Sequence, residues 1–468
     1  MRDKGKGTAH RREEASSGLA PMNPNAAGID VGAESHFVAV PADRDQRPVR
    51  EFGAFTADLY HLAEWLKTCG VETVAMESTG VYWIPLFQVL EERGFAVILV
   101  DPHRLKSVPG RKTDVVDCQW LQRLHTYGLL AGAFRPAEDI RQLRSYLRQR
   151  SMLVEYASRH IQHMQKALTQ MNLKLQHVVT DITGKTGMDI IQAILGGERN
   201  PQELAKLRDY RCKASEATIA KALQGHWRAE HLFELAQAVE LYTVYQEKIA
   251  DCDRRIEALL HTFQDRNEGP LPPQTQNQSK RAQHNAPSFD ARGELYRLTG
   301  VDLASIDGIE AVTALKLISE IGLDMTRWPT VKHFTSWLGL CPGSKITGGK
   351  VKSSKTKPSA NRAAAALRLA ANSLHRSDSA LGAFLRRQKA RLGGPAAITA
   401  TAHKLARLVY SMLKNGTEYS DAGQDYYEQR YRQRVMKNLI RRARQLGYQL
   451  VELEPDELHP TVAMGAVT

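Results

Sequence analysis

Residues 28–32, GIDVG, place an aspartate inside a run that otherwise reads as a strand: from Ile29 to Val40 the chain alternates and then turns apolar. A carboxylate buried in such a strand is costly unless something compensates its charge, so Asp30 asks for a partner. Working outward, Val71–Met76 and Phe95–Val100 are short β-rich runs, and Tyr82–Arg93 between them is amphipathic and stops at Gly94. Strand, helix, strand predicts a parallel crossover in a covered α/β sheet spanning about Ala27 to Leu130.

Three more carboxylates fall where such a sheet hosts ligands. Glu77 closes the second strand in VAMESTG, at its carboxyl end. Asp114 and Asp117, in RKTDVVDCQWL, open a helix after the Pro109-Gly110 loop. Their i, i+3 spacing sets them on one face, about 5–6 Å apart at Cβ. Each alone has a plainer reading: a strand aspartate can hydrogen-bond backbone, and acidic residues favour a helix N-terminus. Together, Asp30, Glu77, Asp114 and Asp117 make an all-oxygen set suited to Mg²⁺. Two such ions about 3.5–4 Å apart activate the attacking oxygen and stabilise the leaving one in phosphodiester chemistry.

The rest of the composition agrees with a polyanionic partner. The 468 residues carry 64 Lys plus Arg against 51 Asp plus Glu, a formal charge of +13, and neutralising phosphates releases counterions. The five cysteines, Cys69, Cys118, Cys212, Cys252 and Cys341, are scattered and form no CxxC pair, which argues against a disulfide framework or structural zinc and for a reducing, cytoplasmic setting. No apolar run approaches the roughly 20 residues needed to cross a bilayer. The charged N-terminus lacks the apolar core of a signal peptide and reads as a disordered tail.

Six segments follow. They are a disordered basic tail (1–26), the carboxylate domain (27–135), a long helical middle (136–262), a flexible linker (263–293), a second folded, mostly α region (294–420), and a basic helix with tail (421–468). In the middle, Leu143, Leu147, Val154, Ala157, Ile161, Met164, Leu168, Met171, Leu175 and Val178 step by fours and threes, interrupted only by Arg150. That is one apolar seam on a helix about 54 Å long. Its partner is either the later stretch Leu232–Leu260, as an intramolecular hairpin, or a second copy, as a coiled-coil homodimer or homotetramer. The segment GPLPPQTQNQSKRAQHNAPS is linker-like. In SIDGIEAVTALKLISEIG, Gly308-Ile309 is either a glycine turn between packed helices or a hairpin whose amides approach a phosphate. The terminal stretch Tyr426–Leu450 is a basic amphipathic helix, a nucleic-acid arm or a solvated helix on the body.

GIDVG, MESTGVYW and VDPHRLKSVPGRKTDVVD together resemble the RuvC-like N-terminal domain of DEDD-type transposases of the insertion-sequence family numbered one-ten. The long middle and the C-terminal half resemble its eleven-eleven subgroup. The resemblance runs from about Ala27 to Glu418, and the four acidic positions match one for one. It implies an α/β RNase H-like (RuvC-like) domain, Mg²⁺, DNA as substrate, and recombination guided by a noncoding (bridge) RNA of the element.

In similar transposases a nucleophilic serine stands directly before a glycine in the segment SWLGLCPGSKITGGKVKSSKTKPSANR. Here that position is Thr347, in ITGGK. A threonine hydroxyl does the same covalent chemistry, although its β-methyl restricts χ1 and crowds in-line attack. Ser344 and Ser353, with Ser354, are nearby alternatives. Lys345, Lys350, Lys352, Lys355 and Lys357 surround the position as candidate phosphate contacts, or as an ordinary solvated loop; Asn361, Arg362 and Arg368 open the next helix as further nucleic-acid contacts. His403, beside Lys404 and Arg407, reads as a packed or phosphate-contacting histidine. The expected activity is DNA cleavage and rejoining at a composite of carboxylates and hydroxyl. A water-using RuvC-like junction nuclease and a non-catalytic nucleic-acid binder are the alternatives.

Overall fold

The structure, a computed structural model, describes residues 20–78, 80–101, 114–267, 269–273, 285–356 and 358–451. The Pro109-Gly110 loop, Lys357 and the outermost tails expected from the sequence lie outside these residues. The chain divides into two units, one ending at Arg135 and the other beginning at Pro136.

The first unit runs β1 (Ala26–Val31), β2 (Ser35–Ala39), β3 (Val49–Gly53), α1 (Thr56–Thr68), β4 (Thr73–Glu77), α2 (Trp83–Glu92), β5 (Ala96–Val100) and α3 (Asp114–Thr126). One five-stranded sheet has the order β3-β2-β1-β4-β5. β1, β2 and β3 form an antiparallel meander, whereas β1, β4 and β5 are parallel. The expected crossover is there: α2 joins β4 to β5 and ends at Arg93, before Gly94 in the left-handed region. The single strand expected from Ile29 to Val40 is instead a hairpin. The chain reverses after Gly32, whose amide donates to the Ser35 carbonyl at 3.1 Å. Apolar alternation continues across that turn, so periodicity alone merges two strands into one.

Period-two geometry then sorts the strands between two layers. Ile29, Val31, Val74 and Met76 join one core with Leu59, Leu62 and Leu66 of α1 and Leu86 and Leu90 of α2. Each fully buried leucine there contributes about 1.5–3 kcal/mol of apolar burial. The alternate residues face α3: Ala75 and Val100 pack with Leu121. Gly28 lies so near that helix that a Cβ on it would sit 2.2 Å from the Gln122 nitrogen.

In the second unit the long helix is α4 (Glu138–Gln170), 33 residues and about 50 Å by rise per residue. The seam does not run unbroken to Val178. α4 stops at Gln170, Asn172 takes φ 57°, and Leu175 and Val178 belong to a separate short helix. The stop is held from outside, since the Met171 carbonyl accepts from the His226 amide at 2.8 Å. Asparagine tolerates that left-handed backbone better than most residues.

α4 packs antiparallel to α5 (Ala229–Leu260) of the same chain: Tyr156 meets Tyr245 at 5.9 Å, while Arg150 meets Asp253 further along. Leu143, Leu147, Ala157, Met164 and Leu168 are thereby buried within one chain, as the intramolecular hairpin expects. Arg150, the one break in the seam, is a buried ion pair. Its guanidinium grips Asp253 at 2.5 and 3.2 Å and donates to the Asn285 carbonyl at 3.2 Å. Ser288 N adds a bond to the same carboxylate at 3.1 Å. The described ends of the expected linker are therefore tied to the body, with Arg266 and Asn267 amides bonded to Arg297 O.

Between α4 and α5 lie short helices (Leu175–Val178, Lys185–Leu195, Pro201–Lys206 and Glu216–Ala222), and after α5 come α6 (Ala291–Thr299), α7 (Ala311–Ile321), α8 (Val331–Trp337), the hairpin β6 (Lys345–Thr347) and β7 (Lys350–Ser353), α9 (Arg362–Ser373), α10 (Ala380–Leu392), α11 (Gly394–Asn415) and α12 (Gly423–Gln445). Gly308 is a packing glycine: a Cβ there would meet the Ala370 carbonyl of α9 at 2.7 Å, and the Ile309 amide is spent on Ile306 O at 2.9 Å. The phosphate reading of that turn loses its free Ile309 amide. Among the described residues no helix is long and apolar enough to cross a membrane.

Candidate active site

Asp30 and Glu77 owe their placement to strand register. Ile29 pairs with Met76 in the parallel β1–β4 ladder, so the next positions, Asp30 and Glu77, stand side by side at its carboxyl end. Asp30 shares the sheet face of Gly28, two residues before it, and Glu77 that of Ala75; both therefore lie on the α3 face. Both are half-buried. A fifth carboxylate, Asp101, directly follows β5 at the same edge, one residue beyond the Glu77–Val100 pair. The sequence signal for it was the VDP run after an apolar strand.

α3 brings the second pair. Asp114 is exposed and Asp117 half-buried, both in its first turn. Between them and the sheet lies Cys118, buried, with its thiol donating to the Val115 carbonyl at 3.2 Å. Burial first, then the nearby charges of Asp30 and Asp117, push the Cys118 thiol up to about 12. The influence of both aspartates on one sulfur shows that the strand carboxylate and the helix carboxylate share a neighbourhood. The groups at this edge are carboxylates, hard oxygen donors of the kind that suits a divalent cation.

Carboxylate oxygens suit a divalent ion, and Asp30, Glu77, Asp114 and Asp117 are the candidates to hold one, although among the described residues no three His, Cys, Asp or Glu groups converge closely enough to form a closed cage.

The hydroxyl segment is a β-hairpin within the region expected to be mostly α. Thr347 pairs with Lys350 across Gly348 and Gly349, whose φ values of 56° and 72° are both positive. A two-residue turn of that kind is the primed type that suits hairpin twist, and glycine meets its backbone demand without strain. The signal was legible as two glycines between β-branched, alternating residues. Register puts Thr347, Lys350, Lys345 and Ser353 on one face and Ile346 with Val351 on the other, with a bulge beside Lys345. Ser344, Lys345, Thr347, Lys350, Lys352 and Lys355 are exposed, whereas Ser353 is half-buried and its oxygen accepts from the Lys355 amide at 3.3 Å. Asn361 turns out to be the N-cap of α9, its side-chain oxygen accepting from Ala364 N at 3.1 Å. Arg362 is exposed and Arg368 half-buried on that helix. His403 is a partly buried helix residue whose imidazole is pushed down by burial and then by Arg407.

Comparison with known proteins accords with both halves. A model of DEDD transposases of the IS110 group, described as transposase, matches residues 27–173. A second, described as transposase of the IS116/IS110/IS902 family, matches residues 302–386. No curated protein matched. The first span holds the whole carboxylate sheet and α3, in an α/β arrangement consistent with the RNase H-like fold of DEDD domains, a class that generally uses divalent metal ions. The second holds the Thr347 hairpin. The chain belongs to the IS110 family of insertion-sequence transposases and is a DNA transposase.

Proposed function

We propose that this transposase cuts and rejoins DNA through a protein–DNA intermediate, with Thr347 as nucleophile and Asp30, Glu77, Asp114 and Asp117 as the metal-holding carboxylates. The supporting observation is the placement of Thr347. Its hydroxyl lies on an exposed hairpin, on the same face as Lys345 and Lys350, where a phosphate would meet two cations and the nucleophile together. Asp30, Glu77, Asp114 and Asp117 would hold divalent metal, two Mg²⁺ ions, which would supply charge neutralisation for phosphodiester chemistry. Thr347 Oγ1 attacks phosphorus, forming an O–P bond while the bond to the leaving DNA oxygen breaks, and its proton passes to solvent or a neighbouring carboxylate. Attack by the hydroxyl of a second DNA end reverses this bond change and completes the join. Lys345, Lys350, Lys352, Lys355 and Lys357, with Arg362 and Arg368, hold the phosphate backbone. Both halves of the chemistry belong to one composite site, completed in a homodimer or homotetramer. A noncoding RNA of the element selects the DNA, as the eleven-eleven resemblance implies.

The test is to trap the adduct. Wild-type protein with a DNA end, the flanking RNA and Mg²⁺ gives a covalent complex. Thr347→Ser keeps it, while Thr347→Ala and Asp30→Asn lose it and drop strand cleavage by about 10²-fold or more. Free hydroxyl ends at full rate from Thr347→Ala would replace this reading with hydrolysis by water.

A further inference from the structure

α12 packs on α10, where Tyr427 meets Phe384 and Glu428 meets Arg387, and none of its residues is buried. Where α10, α11 and α12 meet there is a cleft of about 710 Å³, within the range of ligand sites. Its walls alternate aromatic and cationic side chains: Phe384, Arg387, Arg391, Lys404, Tyr431 and Arg434. The Arg387 guanidinium lies 3.4 Å from the Tyr431 ring centre, and Arg434 reaches the same ring from 5.7 Å. Lys404 Nζ stands 4.8 Å from Phe384. Among the described residues no carboxylate lines this cleft. Glu428 pairs with one arm of Arg387, yet the Nε of that guanidinium is buried and has no hydrogen-bond partner among the described residues.

We propose that this cleft binds unpaired nucleotides of single-stranded nucleic acid, with bases stacked on Tyr431 and Phe384 and phosphates held by Arg387, Arg391 and Arg434. Four cations crowd this cleft and only Arg387 has a carboxylate beside it, Glu428, so their mutual repulsion is relieved by phosphate. The aromatic faces add what a plain anion site lacks, since every base offers a π-face to stack. A duplex keeps its bases paired and would leave both rings idle. No residue of the Thr347 hairpin lines the cleft, so this proposal does not depend on the mechanism proposed for that hairpin.

Fluorescence anisotropy on the full chain tests this with an oligodeoxythymidylate, an oligouridylate and a duplex of equal length. Arg391 and Arg434 are exposed, so truncating them leaves the core unaltered. Arg391→Ala with Arg434→Ala, and separately Tyr431→Leu, are expected to weaken single-strand binding about tenfold while duplex binding stays within twofold. Tyr431→Phe, which keeps the ring, is expected to bind as wild type. The strand type that loses more identifies whether DNA or RNA occupies the cleft. The proposal is overturned if both single strands bind the variants within twofold of wild type. It is equally overturned if the duplex loses as much, or if polyglutamate, a polyanion without bases, displaces the oligomers at matched charge.

Discussion

Replacing Gly28 with alanine is the sharpest probe of how β1 and α3 assemble the carboxylates. The new Cβ would lie 2.2 Å from the Gln122 nitrogen and 2.4 Å from the Cys118 carbonyl oxygen. Both are backbone atoms of α3, so no rotamer change relieves the clash. Restoring an ordinary separation of about 3.5 Å requires α3 to withdraw from the sheet by about 1 Å. Overpacking of that kind costs about 1–3 kcal/mol, which lowers the melting temperature of a unit this size by about 3–10 °C. The same movement carries Asp114 and Asp117 away from Asp30 and Glu77, and a displacement of about 1 Å at reacting groups costs about 100-fold in rate. Calorimetry and a strand-cleavage assay read the two effects separately. Gly94→Ala is the control: its φ of 82° strains alanine, but nothing lies within 4 Å of the new methyl, so α3 stays put. It should lose some stability and keep its cleavage rate. If Gly28→Ala melts within about 1 °C of wild type and cleaves normally, the close seating of α3 on β1 is not what sets the site.

Two further outcomes follow from buried polar groups. Arg150→Met should cost about 3–5 kcal/mol in chemical denaturation, because Asp253 is left buried without its partner, whereas adding Asp253→Leu should recover most of the loss; equal destabilisation by the single and double variants would contradict this. Burial pushes the imidazoles of His125 and His36 below 6.5. A histidine with a depressed folded value lends stability above its unfolded value, and that stability is lost as pH falls from about 6.5 through the folded value. The first unit should therefore melt at lower temperature on acidification across that window, and His125→Gln should flatten the slope; parallel slopes for variant and wild type would refute the assignment.

Much of the first unit was legible before any coordinates. A carboxylate in an apolar strand and a second at a strand end stand out because burying charge is expensive, and two more at i, i+3 open a helix; the structure puts Asp30 and Glu77 side by side on the α3 face. The β4–α2–β5 crossover was equally plain from period and from the Gly94 stop. What misled was continuity of pattern. Alternation does not register a turn that preserves it, so β1 and β2 read as one strand, and a seam that resumes on another helix reads as one helix to Val178. The Thr347 segment failed in the other direction, since flanking helices hid a short hairpin whose only local sign was Gly348-Gly349.

The sequence by itself determined which residues carry charge, candidate hydroxyls and apolar period, and through them the transposase family, because these are properties of residue type and spacing. Only the tertiary structure decided which groups meet. Asp30 reaches Glu77 through strand register, and α3 reaches the sheet because Gly28 has no side chain. Arg150 finds Asp253 across the α4–α5 hairpin, and Arg387, Lys404 and Tyr431 gather from three helices into one cleft. Such encounters depend on long-range packing, in which residues a hundred positions apart become neighbours, and no local period encodes that distance.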